Sequence, residues 1–241
     1  MRETRGDPGR GPVGLRVVFA FESVYLARHG QTVWNLEGRQ QGRLDSPLTP
    51  EGGLQVRRNA AAVRREPVDA LFSSPLERAR TSAAVFSAAL GMPVRVLDEL
   101  SEVDHGELSG LTRAEIAAAW PGQAEARARD KYFYRFPGGE SYADADVRAG
   151  RGLAQIARSG VRAPLLVSHE MIGRMLLKNL AGLDRVAALR LSHPCDVVYK
   201  VRPALGTIEV LTPGAGQRDP GLADQLPGAG PGSGDRAVGQ A

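Results

Sequence analysis

Four short apolar runs mark the chain, at 24–27, 68–73, 94–97 and 164–168. Each is the length of a buried strand and too short for a helix. Between them the pattern changes to helical spacing. Thr49-Pro50-Glu51 opens a helix to residue 65, with a threonine cap, proline in the first turn and an acid at the positive end of the dipole. Ser74 and Glu77 stand in capping-box spacing before a second helix, ended by Gly91-Met92-Pro93, which puts Arg78 in its first turn. Thr112 and Glu115 repeat the box for a short helix closed by Pro121-Gly122. Ser141 and Asp144 begin another that reaches 158, and Gly182 closes a helix over 170–180. Runs at 196–201 and 207–211 predict a closing hairpin, and the polar stretch 31–46 reads as a loop. Strands alternating with helices predict an α/β domain.

Both ends depart from this pattern. Residues 1–15, rich in Arg, Gly and Pro, are expected to be disordered or to reflect a start codon placed too far upstream, and the Gly, Pro and Ala tail from 213 to 241 is expected to be disordered. The domain is therefore predicted over 16–212. Residues 17–21 superficially resemble a signal peptide, but the run is too short to cross a membrane and leads directly into the first strand.

Composition narrows the chemistry only a little. At 241 residues, 42% hydrophobic and 24% charged, the chain suits one globular domain. The net charge of +4 is carried almost wholly by arginine, with lysine only at Lys131, Lys178 and Lys200. Arginine's planar fork suits phosphate and carboxylate, so an anionic small substrate fits. No basic helix, zinc-finger spacing or aromatic ribonucleoprotein signature points to nucleic acid, and no segment points to a membrane. Cys195 is the sole cysteine, which excludes an internal disulfide and a multi-cysteine metal site and suits a reducing compartment; the expected location is the cytoplasm.

The candidate chemistry gathers where strands end. The first run stops at Arg28-His29-Gly30, a cation, an imidazole and a residue that leaves the backbone open to a ligand. The run at 164–168 stops at His169, and Arg78 lies at a helix amino terminus, where free N–H groups already favour anions. A lone histidine is ordinarily a hydrogen-bonded structural residue, and a lone surface arginine is ordinarily solvated. If the three strands are parallel neighbours, however, these groups converge on one phosphoryl site in which an imidazole could attack phosphorus. The loop after the third strand concentrates Glu99, Glu102, Asp104 and Glu107, and mutual repulsion among acids is a route to a neutral general acid. The segment 127–139 loses periodicity and gains Lys131, Tyr132, Phe133, Tyr134, Arg135 and Phe136, as either a substrate-facing lid or a loop packed down by its aromatics. His169-Glu170 lacks the second histidine of a zinc-protease helix, because position 173 is glycine. No metal is expected.

Taken in order, Arg28-His29-Gly30-Gln31-Thr32 with Asn35, Asp45-Ser46-Pro47-Leu48-Thr49, Ser73-Ser74-Pro75-Leu76-Glu77-Arg78-Ala79, Leu100-Ser101-Glu102-Val103-Asp104-His105-Gly106, Gly138-Gly139-Glu140-Ser141-Tyr142 and Val167-Ser168-His169 resemble the histidine phosphatase superfamily, also called phosphoglycerate mutase-like. The resemblance implies a three-layer α/β/α sandwich around a mostly parallel sheet. It also implies a metal-independent phosphoric monoester hydrolase of the histidine acid phosphatase type, without a cofactor. His29 would carry the phosphoryl group; Arg28, Asn35, Arg78 and His169 would bind it, with Gln41 and Gly42 as further binding candidates; Glu102 would serve as acid and base. The short connection from Glu102 to Gly138 favours hydrolysis over phosphoglycerate mutase-type transfer, since mutases that resemble this chain carry a long basic insertion there. Arg127, Arg129, Lys131 and Arg135 keep the mutase as runner-up, and a non-catalytic phospho-ligand reader is a third reading. Protonated Glu102 predicts a first step that favours mildly acidic pH. Glu170 stands where many relatives have glycine and is expected to face away from the site. His105 and His193 are expected to be structural, and a homodimer is an admissible assembly.

Overall fold

The computed structural model describes residues 19–211; the expectations for 1–15 and 213–241 lie outside them. In chain order the elements are β1 (Val24–Arg28), α1 (Val33–Glu37), α2 (Pro50–Val63), β2 (Ala70–Ser73), α3 (Glu77–Leu90), β3 (Val94–Val96), α4 (Arg113–Ala119), α5 (Gln123–Arg129), α6 (Tyr142–Arg158), β4 (Pro164–Ser168), α7 (Glu170–Ala181), α8 (Arg185–Arg190), β5 (Val198–Arg202) and β6 (Thr207–Leu211). They form one sheet in the order β3-β2-β4-β1-β5-β6. The first four of these neighbours run parallel, and β5 and β6 add the antiparallel hairpin.

Because side chains alternate across a strand, each buried strand feeds two cores. Val24 and Leu26 of β1, Phe72 of β2 and Leu166 of β4 pack with α6 and α7, through Leu153, Ile156, Ile172 and Leu176. Tyr25, Ala27, Leu71, Leu165 and Val167 point the other way, onto Val56 and Ala60 of α2 and Ala83 and Phe86 of α3. The result is the expected α/β/α sandwich. Strand register aligns the carboxyl edge, with Arg28 opposite Ser168 and Ser73 opposite Val167. His29, Ser74 and His169 therefore all emerge at one edge of the sheet, as a parallel arrangement requires.

Several boundaries differ from the sequence expectation. The polar stretch 31–46 contains α1, nucleated by a reciprocal capping box between Thr32 and Asn35. Ser74 does not cap α3: its first residue follows Leu76, which makes no side-chain cap bond. Asp45 serves instead, from across the chain, its carboxylate accepting from the N–H groups of Glu77 at 2.9 Å and Arg78 at 3.3 Å. The boxes of α4 and α6 form as read. Two short helices, α5 and α8, were not anticipated, although Asp184 caps α8 by accepting from the Ala187 N–H at 2.8 Å. The aromatic segment is largely packed down, since Phe136 is buried and stacks edge-on with Tyr134, while Tyr132 donates to Asp146.

Candidate active site

His29 follows β1 directly and is held on both sides. Its backbone N–H donates to Ser168 O at 3.0 Å, and its Nδ1 lies 2.8 Å from Gly30 O. A carbonyl can only accept, so Nδ1 carries the proton and Nε2 keeps the lone pair. Burial, and then the charges of Arg28 and Arg78, hold the imidazole well below its usual pKa, so it stays neutral. The neutral ring with its lone pair on Nε2 is the form a nucleophile needs.

Arg78 is 2% exposed and faces this nitrogen, its Nε 3.3 Å from His29 Nε2. The guanidinium is fixed by three acceptors. Nη1 donates to Leu44 O at 2.6 Å and Asp45 Oδ1 at 2.8 Å, and Nη2 donates to Gly42 O at 2.8 Å. Asp45 thus both caps α3 and neutralises its first arginine. Gly42 is needed for its backbone, with φ at +53° and an added Cβ meeting Ser109 Oγ at 2.8 Å. It touches Arg78 rather than presenting a side chain to the site.

His169 completes the group, its ring centroid 5.1 Å from that of His29. Nε2 shares a 2.7 Å hydrogen bond with Ser74 Oγ, while Nδ1 is buried without a partner. Burial, followed by Arg78, His29 and Arg28, pushes its pKa well down too. Asn35 and Gln41, the other binding candidates, both engage Thr32. Asn35 Oδ1 accepts from the Thr32 N–H and hydroxyl, both at 3.0 Å, and Gln41 Nε2 donates to Thr32 Oγ1 at 2.9 Å.

Of the four acids after β3, only Glu102 turns inward, at 7% exposure. The expected cluster does not form: Asp104 accepts from the Gly106 N–H at 2.9 Å and lies 3.8 Å from Arg43. Glu102 is seated on the amino end of α7, where Oε2 accepts from Met171 N–H at 3.1 Å and Oε1 from Ile172 N–H at 2.9 Å. Buried Arg148 of α6 fixes the loop beneath, donating to the carbonyls of Glu99 at 2.9 Å and Ser101 at 2.7 Å and pairing with Glu140 at 2.8 Å. Sequence reasoning missed Ser74, Asp45 and Arg148. Only Arg148 had a local signal, an arginine on the small-residue face of α6 with Ala145, Ala149 and Gly152.

Glu170 corrects an expectation. It does not face away: its carboxylate pairs with Arg28 Nη1 through one oxygen and with Arg174 Nη2, at 2.6 Å, through the other. As the first residue of α7, immediately after His169, it starts at the site's edge, and two buried guanidiniums draw it in. Burial raises its pKa, but Arg28 and Arg174 outweigh that and hold it below the usual carboxylate range. His105 and His193 are buried and packed. His105 contacts Met171 Sδ at 3.0 Å and Phe136; His193 lies against Tyr199 and the His169 carbonyl, with its ring filling the space beside Gly173. Nearby, a cavity of about 690 Å³ is lined by Trp120, Arg127 and Lys131 among others; none of Arg28, His29, Arg78, Glu102 and His169 lines it.

Among the described residues, no cluster of His, Cys, Asp and Glu suits a metal ion, and no helix is long and apolar enough to cross a membrane. The family model of the histidine phosphatase superfamily, branch 1, matches residues 24–213. The 6-phosphofructo-2-kinase/fructose-2,6-bisphosphatase of Caenorhabditis elegans is 34% identical over 70% of the chain, which spans 37% of that protein's length. The Enterobacter protein named probable phosphoglycerate mutase GpmB is 34% identical over 70% of this chain and 79% of its own. Among solved structures, a mycobacterial glucosyl-3-phosphoglycerate phosphatase complexed with VO3 aligns with a TM-score of 0.68 at 29% identity, over 74% of this chain and 90% of that one.

Proposed function

The chain belongs to the histidine phosphatase superfamily, and we propose that it is a phosphomonoester hydrolase working through a phosphohistidine on His29, without a metal. The observation that carries this reading is the tautomer of His29, whose Nδ1 proton is committed to Gly30 O while the Nε2 lone pair faces Arg78 and accepts a 3.3 Å hydrogen bond from its Nε. In the first step Nε2 attacks phosphorus and the ester P–O bond breaks. Glu102 gives a proton to the departing alkoxide. In the second step Glu102 takes a proton from water, whose oxygen attacks phosphorus and frees His29 with release of inorganic phosphate.

Arg28, Arg78 and His169 neutralise the phosphoryl oxygens, in a site dry enough for charge-assisted bonds to be about twice as strong as neutral ones. An incoming phosphate dianion favours the protonated form of His169, so the imidazole that the empty site keeps neutral becomes a donor as substrate binds. Asn35 and Gln41, tied together through Thr32, are taken as further phosphate-binding groups. The protein is taken to act on small soluble phosphomonoesters in the cytoplasm, with no nucleic acid or membrane partner; a homodimer fits this reading equally well.

The test is hydrolysis of p-nitrophenyl phosphate in excess chelator, for the intact protein and His29→Ala, with 3-phosphoglycerate isomerisation followed in parallel. Turnover that survives chelation, is blocked by vanadate and falls by at least about a thousandfold in His29→Ala supports the reading, since a covalent nucleophile and a positioned acid each contribute factors of this order. Isomerisation without hydrolysis makes the protein a mutase. Silence in both assays, with phosphate still bound, makes it a non-catalytic reader.

A further inference from the structure

The Glu170 bridge lies beside the phosphoryl site yet has no part in the two chemical steps. Its two oxygens engage two different guanidiniums, Arg28 and Arg174. Both arginines are otherwise held in place: Arg28 Nη1 also donates to His193 O at 3.2 Å, and Arg174 Nη1 donates to the Tyr142 hydroxyl at 2.9 Å. Each keeps a buried Nε without a partner. Two fixed forks spanned by one carboxylate make the geometry by which proteins grip a carboxylate or phosphate on a ligand. Here the ligand position is filled by the chain itself.

More cations stand behind the bridge. Burial, with Arg174 and Arg127 close by, lowers the Lys131 pKa to about 8, and Glu170 is the anion that opposes them. Without the Glu170 carboxylate, Arg28 and Arg174 would face each other across an open position next to His169, within the field of Lys131. Such a position would capture any second anion carried by a substrate whose phosphoryl group sits on His29.

We propose that Glu170 is a specificity-determining residue whose carboxylate occupies a second anion position between Arg28 and Arg174, so that the protein selects phosphomonoesters whose alcohol carries no carboxylate or phosphate near the ester and discriminates against those that do. The proposal rests on the phosphatase reading for where the phosphoryl group lies, but it makes a claim about binding that can be measured without turnover.

The test uses a matched pair, 3-phosphoglycerate and sn-glycerol 3-phosphate, which share a three-carbon skeleton and differ in a carboxylate against a hydroxymethyl group. Dissociation constants are measured by calorimetry in His29→Ala, which cannot turn over, alone and combined with Glu170→Gln or Glu170→Gly. The first variant keeps the shape of the side chain, and the second removes it at a helix position where a missing side chain is tolerated; circular dichroism confirms that each is folded. The expected result is that 3-phosphoglycerate tightens at least about tenfold relative to glycerol 3-phosphate in the Gly double variant, and by a smaller factor in the Gln double variant, which removes the charge but still fills the position. Equal shifts for the two compounds would mean that Glu170 only weakens Arg28 towards phosphate generally, and would overturn the proposal, as would failure of either variant to bind 3-phosphoglycerate. Failure of the intact protein to hydrolyse any phosphomonoester would instead sink the phosphatase reading, with the binding ratio still deciding the role of Glu170.

Discussion

Acid should unfold this protein through its histidines. His105 and His193 are both buried, and burial is the main reason that each is pushed down to about 4. In the unfolded chain a histidine titrates near 6.5, so between about pH 6.5 and 4.5 the unfolded state takes up a proton at each position and the folded state does not. A group with a depressed folded pKa contributes stability that is complete above its unfolded pKa and is lost as pH falls towards the folded one. The slope is about 1.4 kcal/mol per pH unit for each proton, so these two residues together remove roughly 5 kcal/mol between pH 6.5 and 4.5. His29 and His169 are depressed as well and add in the same direction. Against the about 5–15 kcal/mol that a domain typically has in all, a loss of this size is a large share of the total. The assay is urea unfolding followed by tryptophan fluorescence at half-unit steps from pH 7.5 to 4.5, on the intact protein and on His105→Gln, which should lower the slope by about one proton. Stability that stays flat within about 1 kcal/mol from pH 7 to 5 would refute the reasoning, because carboxylates titrate mostly below that window.

Arg148→Met should free the loop that carries Glu102, lowering kcat at least about tenfold with little change in KM, because the arginine's hydrogen bonds end on loop carbonyls and Glu140 rather than at the phosphoryl site; a change confined to KM would contradict that positioning role. Gly173→Ala places a Cβ 2.2 Å from His193 Nδ1 and should destabilise by about 1–3 kcal/mol in urea unfolding, as overpacking of a filled core does, whereas an unchanged midpoint would mean that the His193 ring moves freely.

What could be read in the sequence follows from how far each cause reaches along the chain. The apolar runs of β1, β2 and β4 predicted buried strands, and because such strands pair in parallel, the chemistry after each run was bound to meet at one edge; His29, Arg78 and His169 do meet. The capping boxes of α4 and α6 were legible because box and helix lie within four residues. The same local grammar misled at Ser74, whose hydroxyl meets His169 and accepts from the Leu76 N–H but does not reach the first turn of the helix. It also hid the Thr32–Asn35 box inside a stretch that reads as a polar loop.

The remaining misses have partners distant in sequence. Asp45 reaches a helix that begins far downstream, and Glu170 reaches back to Arg28 on the first strand. Half of the second bridge was available beforehand, since Glu170 and Arg174 stand one helical turn apart, where a carboxylate and a guanidinium meet. That pairing alone does not set which way the carboxylate faces, because both sides of the first turn of α7 are close to the sheet edge. Arg28 decides it: a buried guanidinium beside a nearly dry site requires a counter-charge, and before any substrate arrives the nearest carboxylate supplies it. The substrate must therefore enter a site whose positive charge is already partly spent, which is why the identity of the residue after His169 should bear on selectivity more than on the chemical step.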